Sequence, residues 1–459
     1  MLRTLLLATT VLLGAVGAAK AQGLSDARSA SALREQALAD KTAWTIVEDL
    51  TTTIGPRPAG SPAAERAKDW GLATLNRLGF KNVHAEPFNI ESWLRGPESL
   101  VVTGATPQPL ALLGLGRSVP TPPGGIEAPI VIFKTYADLL AAPVGSLNGK
   151  IAVAVQPMLK AQDGSGYGAI NAMRTAGASE AAKRGAVGYL IRSLSTDDTR
   201  LPHTGAMVYA PGVPKIPAAA ISPADADQLV RLAARGPVTV KLSLQSTTRM
   251  DATAWNVVGA LLGATDEVVL IGGHLDSWDA GTGAIDDGTG IAISMASAKL
   301  AAQQPRKRTL RVVLFGAEEM NQSGPAYAKA HAGELSKIAM VGESDSGPDP
   351  IFAVRLPAGV AAHPSMAGLA AQLAVLKAPL YPDATTNAGT DVAPMVAAGV
   401  PAAALRTDAT RYFDLHHSAD DTLDKVDPAN LAQNVAVWSL VLAAIADAPF
   451  DIRNPGQPK

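Results

Sequence analysis

Apolar residues in this chain fall into short, nearly continuous runs separated by stretches with helical spacing. Runs at 267–271, 310–315 and 338–341 predict strands buried on both faces, and 401–405 predicts a further strand. Between and after them, 291–302, 327–332 and 364–373 read as helices, with a last helix over 431–446. Apolar strands alternating with helices predict an α/β fold, with a mostly parallel sheet covered by helices. The last helix reads as too short to cross a bilayer and is expected to pack on the sheet.

Earlier in the chain, 29–50 reads as mainly helical and Gly55-Pro56-Arg57-Pro58 interrupts it. Ser61 can cap the free amides of a second helix, and Pro62 has the fixed φ suited to its first position. Gly79 can end that helix in the left-handed conformation, before a strand at 84–90. From Glu98 the texture changes, with Pro and Gly dense over 107–125. Short strands at 129–133, 150–155, 187–191, 216–221 and 238–244 accompany helices at 176–184 and 223–235. This pattern predicts a smaller α/β domain over 98–248, inserted into a larger domain made of 22–97 and 249–459.

Residues 1–21 read as a signal peptide. Arg3 gives the positive start, Leu5 to Val16 the apolar core, and Ala19-Lys20-Ala21 a cleavage site before Gln22. The expected location is therefore periplasmic or secreted. There is no cysteine, which excludes a lipid-anchoring thiol, disulfides and thiolate metal ligands. With 47% apolar residues in 459, the chain is neither disordered nor too short for two or three domains. Net charge is −2, and the only basic cluster is Arg306-Lys307-Arg308, read as a solvated turn. No nucleic-acid partner is expected on that balance, and no stable membrane insertion.

Chemistry concentrates where the strands end. His274 and Asp276 follow one apolar run, Glu318 and Glu319 a second, and Glu343 and Asp345 a third. Ligands of α/β sheets gather outside the carboxyl ends of strands, so these groups are expected to converge. A Gly-rich loop adds Asp286-Asp287, and a late loop adds His416-His417. Such a set of imidazoles and carboxylates suits zinc, and a zinc pair can lower the pKa of bound water from about 15.7 towards 7. Of the neighbours Glu318 and Glu319, one can ligate while the other takes a proton as general base.

The stretches 272–278 (Gly-Gly-His-Leu-Asp-Ser-Trp), 283–290 (Gly-Ala-Ile-Asp-Asp-Gly-Thr-Gly) and 315–319 (Phe-Gly-Ala-Glu-Glu) resemble the M28 family of zinc peptidases. So do Glu343-Ser344-Asp345, 416–422 (His-His-Ser-Ala-Asp-Asp-Thr), 54–62 and 389–395. The resemblance implies two Zn2+ ions, one site completed by His274 and Asp345 and the other by Glu319 and His417. Asp286 would bridge them, Glu318 would be the general base, and Asp276 would orient His274. It also implies a cis peptide between Asp286 and Asp287, a protease-associated domain at 98–248, and a homodimer. His416 stands where several members carry tyrosine; it would either donate to the oxyanion or pack beside the site. The implied activity is hydrolysis of dipeptides or short peptides, by a dipeptidase or carboxypeptidase. An aminopeptidase is the alternative, and a non-catalytic binding ectodomain a further one. Arg406, Arg411 and Asp391 lie in segments suited to reading a terminal charge, but are expected to be structural or exposed.

Overall fold

The computed structural model describes residues 27–383 and 387–456, so the expected signal segment lies outside the described residues. An eleven-stranded sheet runs through the molecule. At one end, Ile338–Glu343, Val268–His274 and Thr309–Phe315 lie side by side and parallel. They are apolar on both faces because both faces are covered. The helix Thr289–Ala301 packs on Val268–His274 and beneath Pro428–Asp447, with all its residues but Lys299 buried. A helix enclosed in this way has no polar face to present.

Pro428–Asp447 is longer than the sequence pattern predicts. Its 20 residues are enough by length and composition to cross a membrane, but 78% of its apolar window is buried inside the protein. Asp427 sets the earlier start by accepting the amides of Ala429 and Asn430 at 2.7 and 3.1 Å, with Pro428 at the first helical position. Burial, rather than length, accounts for its place in the core. The basic triplet also needs correction. Arg308 is not solvated: it is buried, pairs with Glu267 at 3.0 Å and donates to the carbonyls of Ile445, Ala448 and Phe450. It pins the exit of the last helix to the sheet.

Two strands of unusual length, Lys81–Val102 and Thr239–Leu261, form an antiparallel ribbon down the molecule. The end at 257–261 pairs with Thr309–Phe315, and the end at 239–242 pairs with Ile126–Phe133. Beyond it, Ile126–Phe133, Ile151–Ala154, Gly188–Arg192 and Ala218–Ile221 form a second parallel set. Parallel order thus holds among these two sets, and the ribbon and the antiparallel edge strand Leu112–Gly114 make the whole sheet mixed. Residues 97/98 and 248/249, where the sequence pattern divides the chain, fall inside these continuous strands. Register shifts between Ile90 and Ser92 and between Arg95 and Glu98 break the two-residue alternation there without ending the strand. Among the elements the pattern does not anticipate are the helix Ser165–Thr175 and the strand Ile351–Leu356 of a separate three-stranded sheet.

Candidate metal centre

The buried strand Val268–His274 delivers His274 to the carboxyl edge of the sheet, and two glycines leave the space around it. A Cβ at Gly273 would lie 2.5 Å from Asp287 Oδ2, and one at Gly290 2.1 Å from Asp287 Oδ1. Those oxygens accept the amides of His274 (2.9 Å) and Gly290 (3.0 Å), which ties the loop to the strand end. The Asp286–Asp287 peptide is cis.

Asp286 lies between two imidazoles. Its Oδ1 is 3.0 Å from His274 Nε2 and its Oδ2 is 3.1 Å from His417 Nε2. Asp345 Oδ1 stands 3.7 Å and Glu318 Oε2 3.9 Å from His274 Nε2, and Glu319 Oε2 is 3.1 Å from His417 Nε2. All five expected ligands therefore meet, with Glu318 among them. Asp286 Oδ2 and Glu319 Oε1 are buried without a hydrogen-bond partner. Oδ2 lies close to His417 Nε2 but makes no well-aligned hydrogen bond with it. Buried carboxylate oxygens left open in this way, beside imidazoles, fit a cation centre. Among the described residues, three groupings have ligand atoms within 4.8 Å of one another: His274, Glu318 and Asp345; His274, Asp286 and Glu319; and Asp286, His416 and His417.

A second layer fixes the orientations. His274 Nδ1 bonds the Asp276 backbone carbonyl at 2.9 Å, while the Asp276 carboxylate is 3.5 Å away. That carboxylate mainly accepts the amides of Glu318 (3.0 Å) and Glu319 (3.3 Å), so Asp276 shapes the glutamate turn as well as the histidine. His417 Nδ1 faces the Thr204 carbonyl at 3.3 Å, and the Thr204 amide donates to the His417 carbonyl at 3.0 Å. Both imidazoles thereby hold Nδ1 on a carbonyl and turn Nε2 to the carboxylates. His416 stacks on His417 with ring centroids 3.4 Å apart, and its Nε2 is 3.7 Å from Asp286 Oδ2. Its carbonyl is bonded by His203 Nδ1 at 2.6 Å.

Several of these residues carry no predicted role. Asp287, Arg57 and Asp421 sit inside the quoted motifs, which was their only signal. Arg57 is fully buried and donates to the carbonyls of Leu275, Thr282 and Gly283, while Asp421 accepts the Ile285 amide. His203 and Thr204 have no motif at all. Of the candidates for reading a terminal charge, Arg411 pairs with Asp349 at 3.3 Å on the surface and Asp391 is buried beneath Ser323. Arg406 lines the cavity described below.

Burial and crowding set the protonation pattern. Burial pushes the Glu318 carboxyl well above its usual range, opposed by His274 and reinforced by Asp345 and Glu319. Burial works the other way on the histidines. His417 is nevertheless raised to about 9 because Glu319 and Asp286 face it. His416 is held well below its usual value, by burial and then by His417, and is therefore neutral. Burial likewise lifts Asp421 to about 7, with Asp286 adding to it.

The centre opens into a cavity of about 420 Å³, lined on one side by Asp286, Glu318, Asp345 and His417 and on the other by Tyr167, Asn171 and Arg174. Histidines and carboxylates gathered at the strand ends of a helix-covered sheet are the build of peptidase family M28. The chain belongs to that family, whose model matches residues 256–442. It is similar to carboxypeptidase Q of Mus musculus, at 39% identity over 410 residues that cover 87% of this chain and 84% of that protein. Among solved structures, a peptidase M28 precursor from Shewanella amazonensis superposes with a TM-score of 0.89 at 42% identity, covering 93% of this chain and 97% of that one. A zinc aminopeptidase from Bacillus subtilis shares the fold, with a TM-score of 0.64 at 20% identity over 87% of this chain and 94% of that one.

Proposed function

We propose that this peptidase is an exported exopeptidase that hydrolyses dipeptides or short peptides with two zinc ions. His274 and Asp345 would hold one ion, Glu319 and His417 the other, and Asp286 would bridge them. The observation that carries this reading is the placement of Asp286, one oxygen facing each imidazole while Oδ2 lacks any hydrogen bond. Zinc bound there would polarise the scissile carbonyl and bring the pKa of water towards neutrality. Glu318, poised by burial to accept a proton, would take it from water and pass it to the leaving amine. Asp276 would hold the Glu318–Glu319 turn in register for both tasks. His416 is neutral and at the cavity wall, and can donate a hydrogen bond to the developing oxyanion.

Similarity to carboxypeptidase Q over most of the chain favours a dipeptidase or carboxypeptidase. An aminopeptidase is the second reading, favoured by Glu343, whose buried Oε1 lacks a partner in the cavity wall and could face a free amine. Residues 98–248 would form a protease-associated domain inserted between the two catalytic segments, and the active species would be a homodimer. Residues 1–21 would be removed on export, leaving a mature chain that begins at Gln22.

Hydrolysis of a free dipeptide beside its N-acetylated and C-amidated forms tests the reading, with zinc quantified on the same sample. Loss of cleavage on either blocking marks a dipeptidase. Tolerance of the N-acetyl form marks a carboxypeptidase, and tolerance of the amide an aminopeptidase. No cleavage and no zinc after resupply would overturn the enzymatic reading.

A further inference from the structure

Opposite the carboxylates, the cavity wall contains a cation that no described carboxylate pairs with. Arg174 lies in the last turn of Ser165–Thr175 and is 6% exposed. Its Nη2 donates to Tyr167 Oη at 2.5 Å, while Nε and Nη1 have no hydrogen-bond partner. Among the described residues no carboxylate forms an ion pair with it. A buried guanidinium without a counter-charge is unfavourable until something supplies one. Its position is also fixed. A Cβ at Gly205, where φ is +136°, would lie 2.2 Å from Nη1, so the guanidinium packs directly against that backbone. The Tyr167 ring sits 5.2 Å from Arg174 Cζ and meets His416 edge-on at 5.6 Å, and His416 stacks on His417. Arg174 therefore stands one ring behind the histidine pair.

Asn171, one turn earlier on the same helix, also lines the cavity, and its Oδ1 is buried without a partner. Its amide can turn NH₂ towards an anion. Arg117, in the same wall, is already engaged by the Met320 carbonyl at 2.6 Å and by Glu91 at 3.6 Å.

We propose that Arg174, assisted by Asn171, receives the C-terminal carboxylate of the peptide substrate. The planar fork of a guanidinium matches a carboxylate with two parallel hydrogen bonds. In a peptide cut one residue from its C-terminus, that carboxylate lies a single residue beyond the scissile carbonyl, as the shared cavity requires. The inference rests on the exopeptidase reading and specifies which end of the peptide is read.

The test uses the full zinc-loaded chain with Ala-Ala, Ala-Ala amide and Ala-Glu amide, comparing wild type with Arg174→Gln. The expected result is a KM for Ala-Ala at least tenfold higher, a much smaller change in kcat, and unchanged zinc content. Hydrolysis of the amides, poor in the wild type, should not fall further. An unchanged KM for Ala-Ala, or an equal loss on acid and amide, would overturn the proposal while leaving the peptidase reading in place. If Ala-Glu amide were cleaved as well as Ala-Ala and lost with Arg174→Gln, the carboxylate read would be a side chain, which also overturns it. A wild type that carries zinc but cleaves none of the three would remove the exopeptidase reading and this inference with it. Should Arg174→Gln not fold, Asn171→Asp places a carboxylate beside the guanidinium and should raise the KM for Ala-Ala likewise; an unchanged KM there would contradict the assignment. Calorimetric binding of N-acetyl-alanine against its amide gives a readout independent of turnover: preference for the acid should be present in wild type and absent in Arg174→Gln.

Discussion

The strand ends at His274, Phe315 and Glu343 and the middle segment from 98 to 248 face each other across one cavity and furnish it differently. On the strand side, carboxylates and imidazoles crowd together, with His274 held by the Asp276 carbonyl and the Glu318–Glu319 turn by the Asp276 carboxylate. On the other side, the middle segment brings no metal-ligand set. It brings carbonyls and rings that orient the late histidines, through His203 and Thr204, and a buried arginine, Arg174, that lines the cavity. It also grips the late loop directly. Thr196 bonds Asp414 at 2.5 Å, Lys160 pairs with the same carboxylate at 2.8 Å, and Gln162 bonds Asp408 at 3.0 Å. A cluster of like charges needs rigid strand ends to hold it, whereas substrate reading can come from any element that reaches the cavity. Changes on the strand side should therefore strike chemistry and metal, and changes on the middle segment should strike KM and histidine placement.

The largest effect is expected at Glu318. Glu318→Gln should lower turnover by about 10² to 10⁴-fold with zinc content near wild type, measured by steady-state kinetics and metal analysis on one sample. Loss of metal as well would make Glu318 a ligand instead of the base. Next comes the space around Asp287. Gly273→Ala places a methyl 2.5 Å from Asp287 Oδ2 and should cost about 1–3 kcal/mol in chemical denaturation while weakening metal retention. A variant as stable and as metal-rich as wild type would show that the motif glycine is not spatially required.

Across the cavity the expected effects are smaller. His203→Ala removes one hydrogen bond to the His416 carbonyl, about 1 kcal/mol, and should lower kcat/KM about fivefold without changing zinc content. A zinc loss of the size expected for a strand-side residue would erase the contrast between the two sides. The smallest effect belongs to a partly buried pair between Glu86 of the ribbon and His331, which ends the helix Ser323–Ala330. The Glu86 carboxylate, 3.0 Å away, raises the His331 pKa above 6.5 despite partial burial. A histidine raised in the folded state contributes stability that is complete below pH 6.5 and is lost as pH rises through the raised value. Both partners are partly solvated, so the loss should stay under about 1 kcal/mol. Denaturation curves for wild type and His331→Gln at stepped pH should converge above that value, and parallel curves would show that the pair contributes nothing.

The two sides also differed in how far the amino-acid sequence revealed them. Apolar runs that end in His274, Glu318-Glu319 and Glu343-Ser344-Asp345 announce both the strands and the site, because a buried strand must end where polar groups begin. The helix bearing Arg174 gave no such signal. Gly164, Gly166 and Gly168 surround its start, and glycine density reads as loop because each glycine disfavours helix by about 1 kcal/mol. Its helical conformation is set by packing, with Ile170, Met173 and Arg174 buried. The ribbon appears in the sequence pattern only as separate strands because bulges interrupt its alternation, and pairing along its whole length is a tertiary property. The sequence suggests a solvated Arg308 because nothing near it indicates that the chain exit at Ile445, Ala448 and Phe450 returns to cover it.

In the proposed centre Asp286 would join two metal sites into one, and zinc stoichiometry of Asp286→Ala tests that bridge most directly. The wild-type chain should bind two zinc ions, and the variant, folded by circular dichroism, should lose metal at both sites. Retention of two full-occupancy zinc ions in Asp286→Ala would contradict the bridge and the two-ion account built on it.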